Sequence, residues 1–182
     1  MKKTVFLAAL ICCAMTTVFT SCDKDDDNKI KPEAEDTTSV AAVMNYSFNV
    51  GDDILGSFDV TVEYYNAEGK LQSEQMTQNE WEKSVKANLP VKLGARLKIQ
   101  PKEGVNFENL ERFTASYGYS YSGHEVSAND KVTGNQVMGG TESSMTMKGD
   151  KVSEWSQRHA DGLVKFLYSF AADGQATSSS WE

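Results

Sequence analysis

The feature that most constrains the fold is an alternation of apolar and polar residues with a period of two. In residues 58–65, FDVTVEYY, every second residue is apolar or aromatic. Successive side chains of a β-strand point to opposite faces, so this segment predicts a strand with one buried and one solvated face. The next residues, Asn66-Ala67-Glu68-Gly69, predict a tight hairpin turn with Gly69 at a positive φ. Asp173-Gly174 predicts a second hairpin near the end of the chain.

Short segments of this character recur along the chain and are separated by turn residues. They lie at residues 44–50, 58–65, 70–75, 95–99, 113–121, 132–138, 145–147, 152–157, 163–172 and 175–181. About nine short strands with regular turn signals are typical of an antiparallel sandwich or barrel. We therefore predict an all-β domain, an antiparallel β-sandwich of the immunoglobulin-like kind, with a lipocalin-like barrel as the alternative.

One segment predicts a short helix instead. Thr77 and Glu80 have the spacing of a capping box, and Trp81 and Val85 would share one face of a helix that ends before Pro90. A helix this short is not stable alone, so we expect it to dock on the sheet. Trp81 would then cover an edge or an open end of the β core.

The first residues predict an export signal. Two lysines at positions 2 and 3 precede an apolar run over residues 5–15, and Ser21 and Cys22 follow. The run is shorter than the ~20 apolar residues that a transmembrane helix needs. A charged start, a short apolar centre and small residues before a cleavage point are typical of a signal peptide.

Two adjacent motifs extend this interpretation. Phe19-Thr20-Ser21-Cys22 resembles the lipobox of bacterial lipoproteins, and Asp23-Lys24-Asp25-Asp26-Asp27 resembles the acidic export tag of Bacteroidetes-type surface lipoproteins. The resemblance implies that Cys22 is acylated and becomes the first mature residue. It further implies a protein anchored to the outer membrane by lipid and facing the cell exterior. It covers about the first 27 residues and implies nothing about the folded part.

Composition then divides the chain into three parts. Residues 1–21 are the predicted signal peptide, and residues 22–39 are charged and lack aromatic residues, which predicts a disordered acidic tether. Residues 40–182 are predicted to form a single β domain. All three cysteines lie at positions 12, 13 and 22, so this domain has no thiol for a disulfide, a zinc site or a nucleophile.

Charge disfavours one class of partner. The chain has 18 basic and 26 acidic residues, and the segment before Cys22 holds two lysines and no acids, so the mature balance is 16 against 26, or −10. Nucleic acid binding depends on Lys and Arg contacts to phosphate. We therefore predict no nucleic acid partner.

No catalytic, metal or cofactor site emerges from the motifs. His124 and His159 read as residues of a loop and a turn, and the chain contains neither a G-x-S-x-G nor an H-E-x-x-H sequence. Asp52 and Asp53 share a tight loop but fall far short of the six to eight oxygens that calcium prefers. A pair of hydrolytic carboxylates would be set by distance across a cleft, which sequence does not reveal.

A row of aromatic residues is the one candidate for binding. Tyr117, Tyr119 and Tyr121 fall on one face of a predicted strand, and Trp155 lies near a turn. Exposed, the row would offer flat apolar rings with polar ends to a glycan or a protein. Buried, it would be part of the sandwich core, as the continuation of the same face through Phe113 suggests.

The sequence thus predicts a cell-surface lipoprotein with a non-enzymatic binding or assembly role toward a glycan or a protein partner. Two alternatives stay open at this point. One is an extracellular hydrolase with carboxylates scattered over several strands. The other is a carrier of a small apolar ligand held inside a barrel.

Overall fold

Nine strands in two antiparallel sheets make up most of the described part of the chain in this computed structural model. The structure describes residues 38–173 and 175–181. The strands are β1 (Ala41–Val50), β2 (Phe58–Tyr65), β3 (Leu71–Met76), β4 (Glu80–Asn88), β5 (Val91–Pro101), β6 (Phe113–Val126), β7 (Val137–Met147), β8 (Val164–Phe170) and β9 (Ala176–Ser178). The predicted signal peptide, Cys22, most of the predicted tether and Gly174 lie outside the described residues.

The two sheets pack face to face. The first has the strand order β4-β1-β6-β7 and the second the order β3-β2-β5-β8-β9. The ring centroids of Tyr64 in β2 and Trp81 in β4 are 5.5 Å apart, and those of Tyr121 in β6 and Phe166 in β8 are 4.1 Å apart. The predicted antiparallel β-sandwich is confirmed. The barrel alternative is wrong, because the two sheets stay separate and do not close on each other.

Period-two alternation places the core between the sheets. In β2, Phe58, Val60, Val62 and Tyr64 are buried, whereas the residues between them are exposed or half-buried. Strand β1 repeats this pattern on the facing sheet, from Ala42 to Val50. Removing apolar side chains from water is worth about 25 cal/mol per Å² of area, so each strand is held by the face that the alternation defines.

Both predicted hairpins are present. Asn66 directly follows β2, and its side-chain oxygen accepts hydrogen bonds from the backbone N–H groups of Glu68 and Lys70. Gly69 has a φ of 69°. Between β8 and β9, the backbone N–H of Ala171 donates to the carbonyl of Gln175. These turns fix the register of the strands on either side of them.

The helix predicted from Thr77 onward is wrong, because this segment forms the edge strand β4. Trp81, Val85 and the other odd-numbered residues of β4 face the core, while the even-numbered residues are exposed. Residues four apart share a face in a strand as well as in a helix, so the spacing of Trp81 and Val85 fits both. Pairing with β1 along the whole of β4 decides the outcome. It satisfies the backbone groups along this edge of β1, which a docked helix would leave unpaired.

The helices lie elsewhere. α1 (Asp52–Ser57) occupies the predicted tight loop, and α2 (Val152–Arg158) replaces a predicted strand. Trp155 of α2 is 2% exposed, and its ring is centred 6.0 Å from Phe58 and 6.1 Å from Phe113. α2 therefore closes one end of the sandwich. The strand predicted at residues 132–138 is also wrong before Val137, where β7 begins.

A polar cluster closes the flank formed by β3 and β4. The carboxylate of Glu74 accepts hydrogen bonds from the Tyr64 hydroxyl at 2.6 Å, the Trp81 indole N–H at 2.9 Å and the Lys83 ammonium at 2.7 Å. The hydrogen bonds from Lys83 and Tyr64 lower the pKa of Glu74 to about 2, so this carboxylate stays charged over ordinary pH. It joins the two sheets at this flank.

Candidate functional site

The tyrosine row lies on the inner face of β6, at the opposite flank of the sandwich. Toward β1, the row is paired with buried residues: Tyr121 with Tyr46, Tyr119 with Phe48 and Tyr117 with Val50. Toward β7, it is paired with small residues: Tyr121 with Gly139, Tyr119 with Thr141 and Tyr117 with Ser143. All three tyrosines are half-buried. We call these three tyrosines, together with Gly139, Thr141 and Ser143, the tyrosine flank.

Tyr121 anchors the tyrosine flank to the core. Its ring stacks on Phe166, and its hydroxyl is 2.7 Å from the hydroxyl of Tyr168 in β8. A side chain at Gly139 would collide with this ring, since a Cβ there would lie 2.6 Å from the Tyr121 oxygen. The absence of a side chain at Gly139 therefore lets the Tyr121 ring lie across β7. Burial, and then the hydrogen bond with Tyr168, raise the pKa of Tyr121, so its hydroxyl stays neutral.

The flank is open in the described part of the chain, because few of those residues lie opposite β7. β9 has three residues and pairs with only the last part of β8, from Tyr168 to Phe170. Inward-facing side chains of β7 consequently remain accessible: Thr141 is exposed, and Met145 is 50% exposed. The row of rings thus runs between a packed core on one side and solvent on the other. The tyrosine row is therefore partly core and partly surface, whereas the sequence allowed either a buried row or an exposed one.

The fourth sequence candidate is not accessible. Trp155 is buried in the core, where it contacts His159, and the imidazole Nδ1–H of His159 donates to the Trp155 carbonyl at 2.8 Å. This histidine therefore caps the last turn of α2. His124 is half-buried on the strand β6 rather than in a loop.

The acidic candidates serve structural roles. In α1, Asp52 accepts a hydrogen bond from the Asn79 amide at 2.8 Å, and Asp53 accepts one from the backbone N–H of Thr114 at 2.6 Å. Both carboxylates thus tie α1 to its neighbours. Among the described residues, no group of three or more His, Cys, Asp or Glu side chains is placed to hold a metal ion.

A groove of about 600 Å³ runs along the outer face of the second sheet beside α2. Its carboxylates are Asp59 and Glu63, which lie four residues apart on β2 and so about 13 Å apart along the strand. Hydrolytic carboxylate pairs in glycosidases are separated by about 5–9.5 Å. Glu63 is also paired with Arg96 at 2.5 Å. This groove does not present the geometry of a glycosidase.

The carboxyl groups with shifted pKa values also lack the properties of a general acid. Glu74 has its pKa lowered by hydrogen bonds, and the ammonium of Lys165 lowers the pKa of Asp161. A general acid needs a pKa raised toward neutrality, which is the opposite direction. These two carboxyl groups are therefore suited to ion pairs and not to proton donation.

Sequence reasoning missed several members of the site. Gly139, Thr141 and Ser143 escaped notice because the strand containing them, β7, was predicted only at its two ends. Phe166 and Tyr168, which support Tyr121, lie 45 and 47 residues from it along the chain, and no sequence pattern joins them to it. One signal was present in the sequence: residues 137–147, VMGGTESSMTM, contain neither Lys, Arg nor Pro.

Fold and site together define an antiparallel β-sandwich with one closed flank and one open, tyrosine-lined flank. No protein-family model, curated protein or solved structure matches this chain. None of the helices in residues 38–173 and 175–181 has the length and apolar character to cross a membrane.

Proposed function

We propose that this protein is a lipid-anchored lipoprotein of the cell surface whose β-sandwich binds a glycan or a protein partner without catalysis. The open tyrosine flank is the observation that carries the binding role. Tyrosine rings that are half-buried on a rigid strand can contact a ligand without losing much conformational freedom. The small side chains of β7 leave room beside them.

The proposed anchor rests on the lipobox resemblance and on the acidic segment after Cys22. Two or three acyl chains hold a protein durably on a bilayer, whereas a single chain binds weakly and reversibly. The charged aspartates that follow are costly to place in lipid and would keep the start of the chain in water. The domain would then be displayed outward.

The anchor has a direct test. Cells expressing the protein and fed radiolabelled palmitate should label the natural chain and lose all of that label in a Cys22→Ser variant. Added protease should digest the domain on intact cells, because the proposal places it outside. Equal labelling of the two forms, or full protection of the domain from protease, would contradict the placement.

The ligand class is tested on the purified Cys22→Ser protein, which has no acylation site. A glycan array and a panel of extended peptides should give saturable binding to one of the two classes. If both stay blank while circular dichroism shows a folded β domain, the binding role is wrong. The position of the binding surface is a separate question, which variants of the tyrosine flank decide.

A further inference from the structure

The edge strand β7 lacks the features that keep other sheet edges from pairing. Native proteins protect an edge with short strands, with charged side chains, especially Lys, or with Pro. β9 has three residues and β3 has six, while β4 carries Glu80, Glu82, Lys83 and Lys86. β7 has 11 residues, and its one charged side chain is Glu142. It is therefore the least protected edge among the described strands.

Backbone alternation shows which groups of β7 face away from β6, toward the edge where no described strand pairs with them. The backbone N–H of Gly51 donates to the carbonyl of Ser116, which indicates that even-numbered residues of β6 bond to β1 and odd-numbered ones to β7. In the register of β6 with β7, Tyr119 is opposite Thr141, so the odd-numbered residues of β7 bond to β6. Five residues then direct their N–H and C=O groups to the free edge: Met138, Gly140, Glu142, Ser144 and Thr146.

Both faces of this edge are accessible and largely uncharged. On the outer face, Met138 is 72% exposed, and on the inner face, Met145 is 50% exposed beside the tyrosine flank. A strand added along β7 would place alternate side chains over the inner face, next to Thr141 and Met145. Its other side chains would lie beside Glu142 on the outer face.

Charge indicates the chemistry of the occupant. Glu142 is exposed, and the full chain carries a formal net charge of −8. A second copy of the chain would bring like charges together, and like charges directly opposite each other on paired strands are destabilising. A strand with Lys or Arg opposite Glu142 would be attracted both by this carboxylate and by the acidic surface.

We propose that β7 binds an extended segment of a protein partner by strand addition, with apolar residues over the tyrosine flank and Lys or Arg opposite Glu142. This deepens the proposed function, on which it rests, by choosing a protein over a glycan. Backbone hydrogen bonds to the five free residues of β7 would supply affinity, and the alternating side chains would supply specificity.

The test uses two proline variants of the purified Cys22→Ser protein. Ser144→Pro removes an outward-facing N–H from β7, and proline is tolerated at such edge positions. Ser84→Pro is the matched control, because Ser84 is also an exposed serine with an outward-facing N–H, on the edge strand β4 of the same sheet. Far-UV circular dichroism and thermal melts establish that both variants are folded.

The probe is an eleven-residue peptide that alternates valine with lysine. Each valine is N-methylated, so that only the edge formed by the lysine N–H groups can pair with β7. We expect saturable binding below about 1 mM and about a tenfold loss of affinity in Ser144→Pro, since one backbone hydrogen bond to the peptide is lost. Ser84→Pro should bind as the unsubstituted protein does. A peptide with glutamate in place of lysine should bind at least about tenfold more weakly.

Three results would overturn the inference. The first is equal peptide affinity in Ser144→Pro and Ser84→Pro, and the second is no peptide binding below about 1 mM. The third is sedimentation showing a dimer that Ser144→Pro abolishes, because the occupant would then be a second copy. If any of these results is found but the protein binds a glycan through Tyr117, the proposed function stands and only this inference fails. If the protein binds neither a glycan nor the peptide, both the inference and the proposed function are wrong.

Discussion

Replacing Trp155 with alanine should lower the free energy of unfolding by about 3–5 kcal/mol, which is the range for deleting a large buried aromatic side chain. Trp155 is 2% exposed and packs against Phe58, Phe113 and His159. It is the residue through which α2 closes the end of the sandwich. Urea unfolding followed by far-UV circular dichroism measures the change without depending on tryptophan fluorescence.

A Trp155→Phe variant is the matched control for this prediction. It keeps an aromatic ring in the same place and should cost less than half as much as alanine. A change of under about 1 kcal/mol in Trp155→Ala, typical of surface substitutions, would mean that the ring is not part of the core. Ligand affinity measured on folded Trp155→Phe should equal that of the unsubstituted protein, because this side chain does not reach the tyrosine flank.

Replacing Gly94 with alanine should destabilise the protein by about 3 kcal/mol, at the upper end of the usual cost of overpacking a core. A Cβ at this position would overlap the backbone oxygen of Phe166 and would lie 2.7 Å from the Cα of Leu167. Both atoms belong to the backbone of β8, so β5 and β8 would have to separate. Since Phe166 supports the tyrosine flank, this substitution should also weaken ligand binding.

Gly56→Ala is the matched control. Gly56 lies in α1, and a Cβ there would meet no atom within 4 Å. Alanine is preferred over glycine in a helix by about 1 kcal/mol, so this variant should be as stable as the natural protein or slightly more so. Equal unfolding midpoints for the Gly94 and Gly56 variants in urea would contradict the close approach of β5 and β8.

The parts of the fold that sequence predicted are those with a local physical signature. The alternation in residues 58–65 and the turn at Gly69 were enough to place β2 and β3. The segment of β4 was assigned to a helix because Trp81 and Val85 fit either period. What decides it is the long-range pairing with β1, which a local pattern does not contain.

The candidate site was only half predictable for a similar reason. Tyr117, Tyr119 and Tyr121 were recognised from their spacing, but whether they are buried depends on what lies opposite β7. That is the short strand β9, from a distant part of the chain. Trp155 was proposed as a surface ring because it lies near a turn, yet α2 rotates it into the core. A strand at that position would have left its orientation open.

The central claim is that the open tyrosine flank binds the ligand. The most direct test compares the ligand affinities of two tyrosine variants, one inside this flank and one outside it. Tyr117→Ala removes a half-buried ring from this flank, and Tyr65→Ala removes a half-buried ring from β2 on the outer face of the other sheet. Titrated with whichever glycan or peptide gives saturable binding, Tyr117→Ala should lose affinity by about tenfold or more, as expected for an aromatic contact residue, and Tyr65→Ala should be unchanged. Equal affinities for the two folded variants would contradict the account.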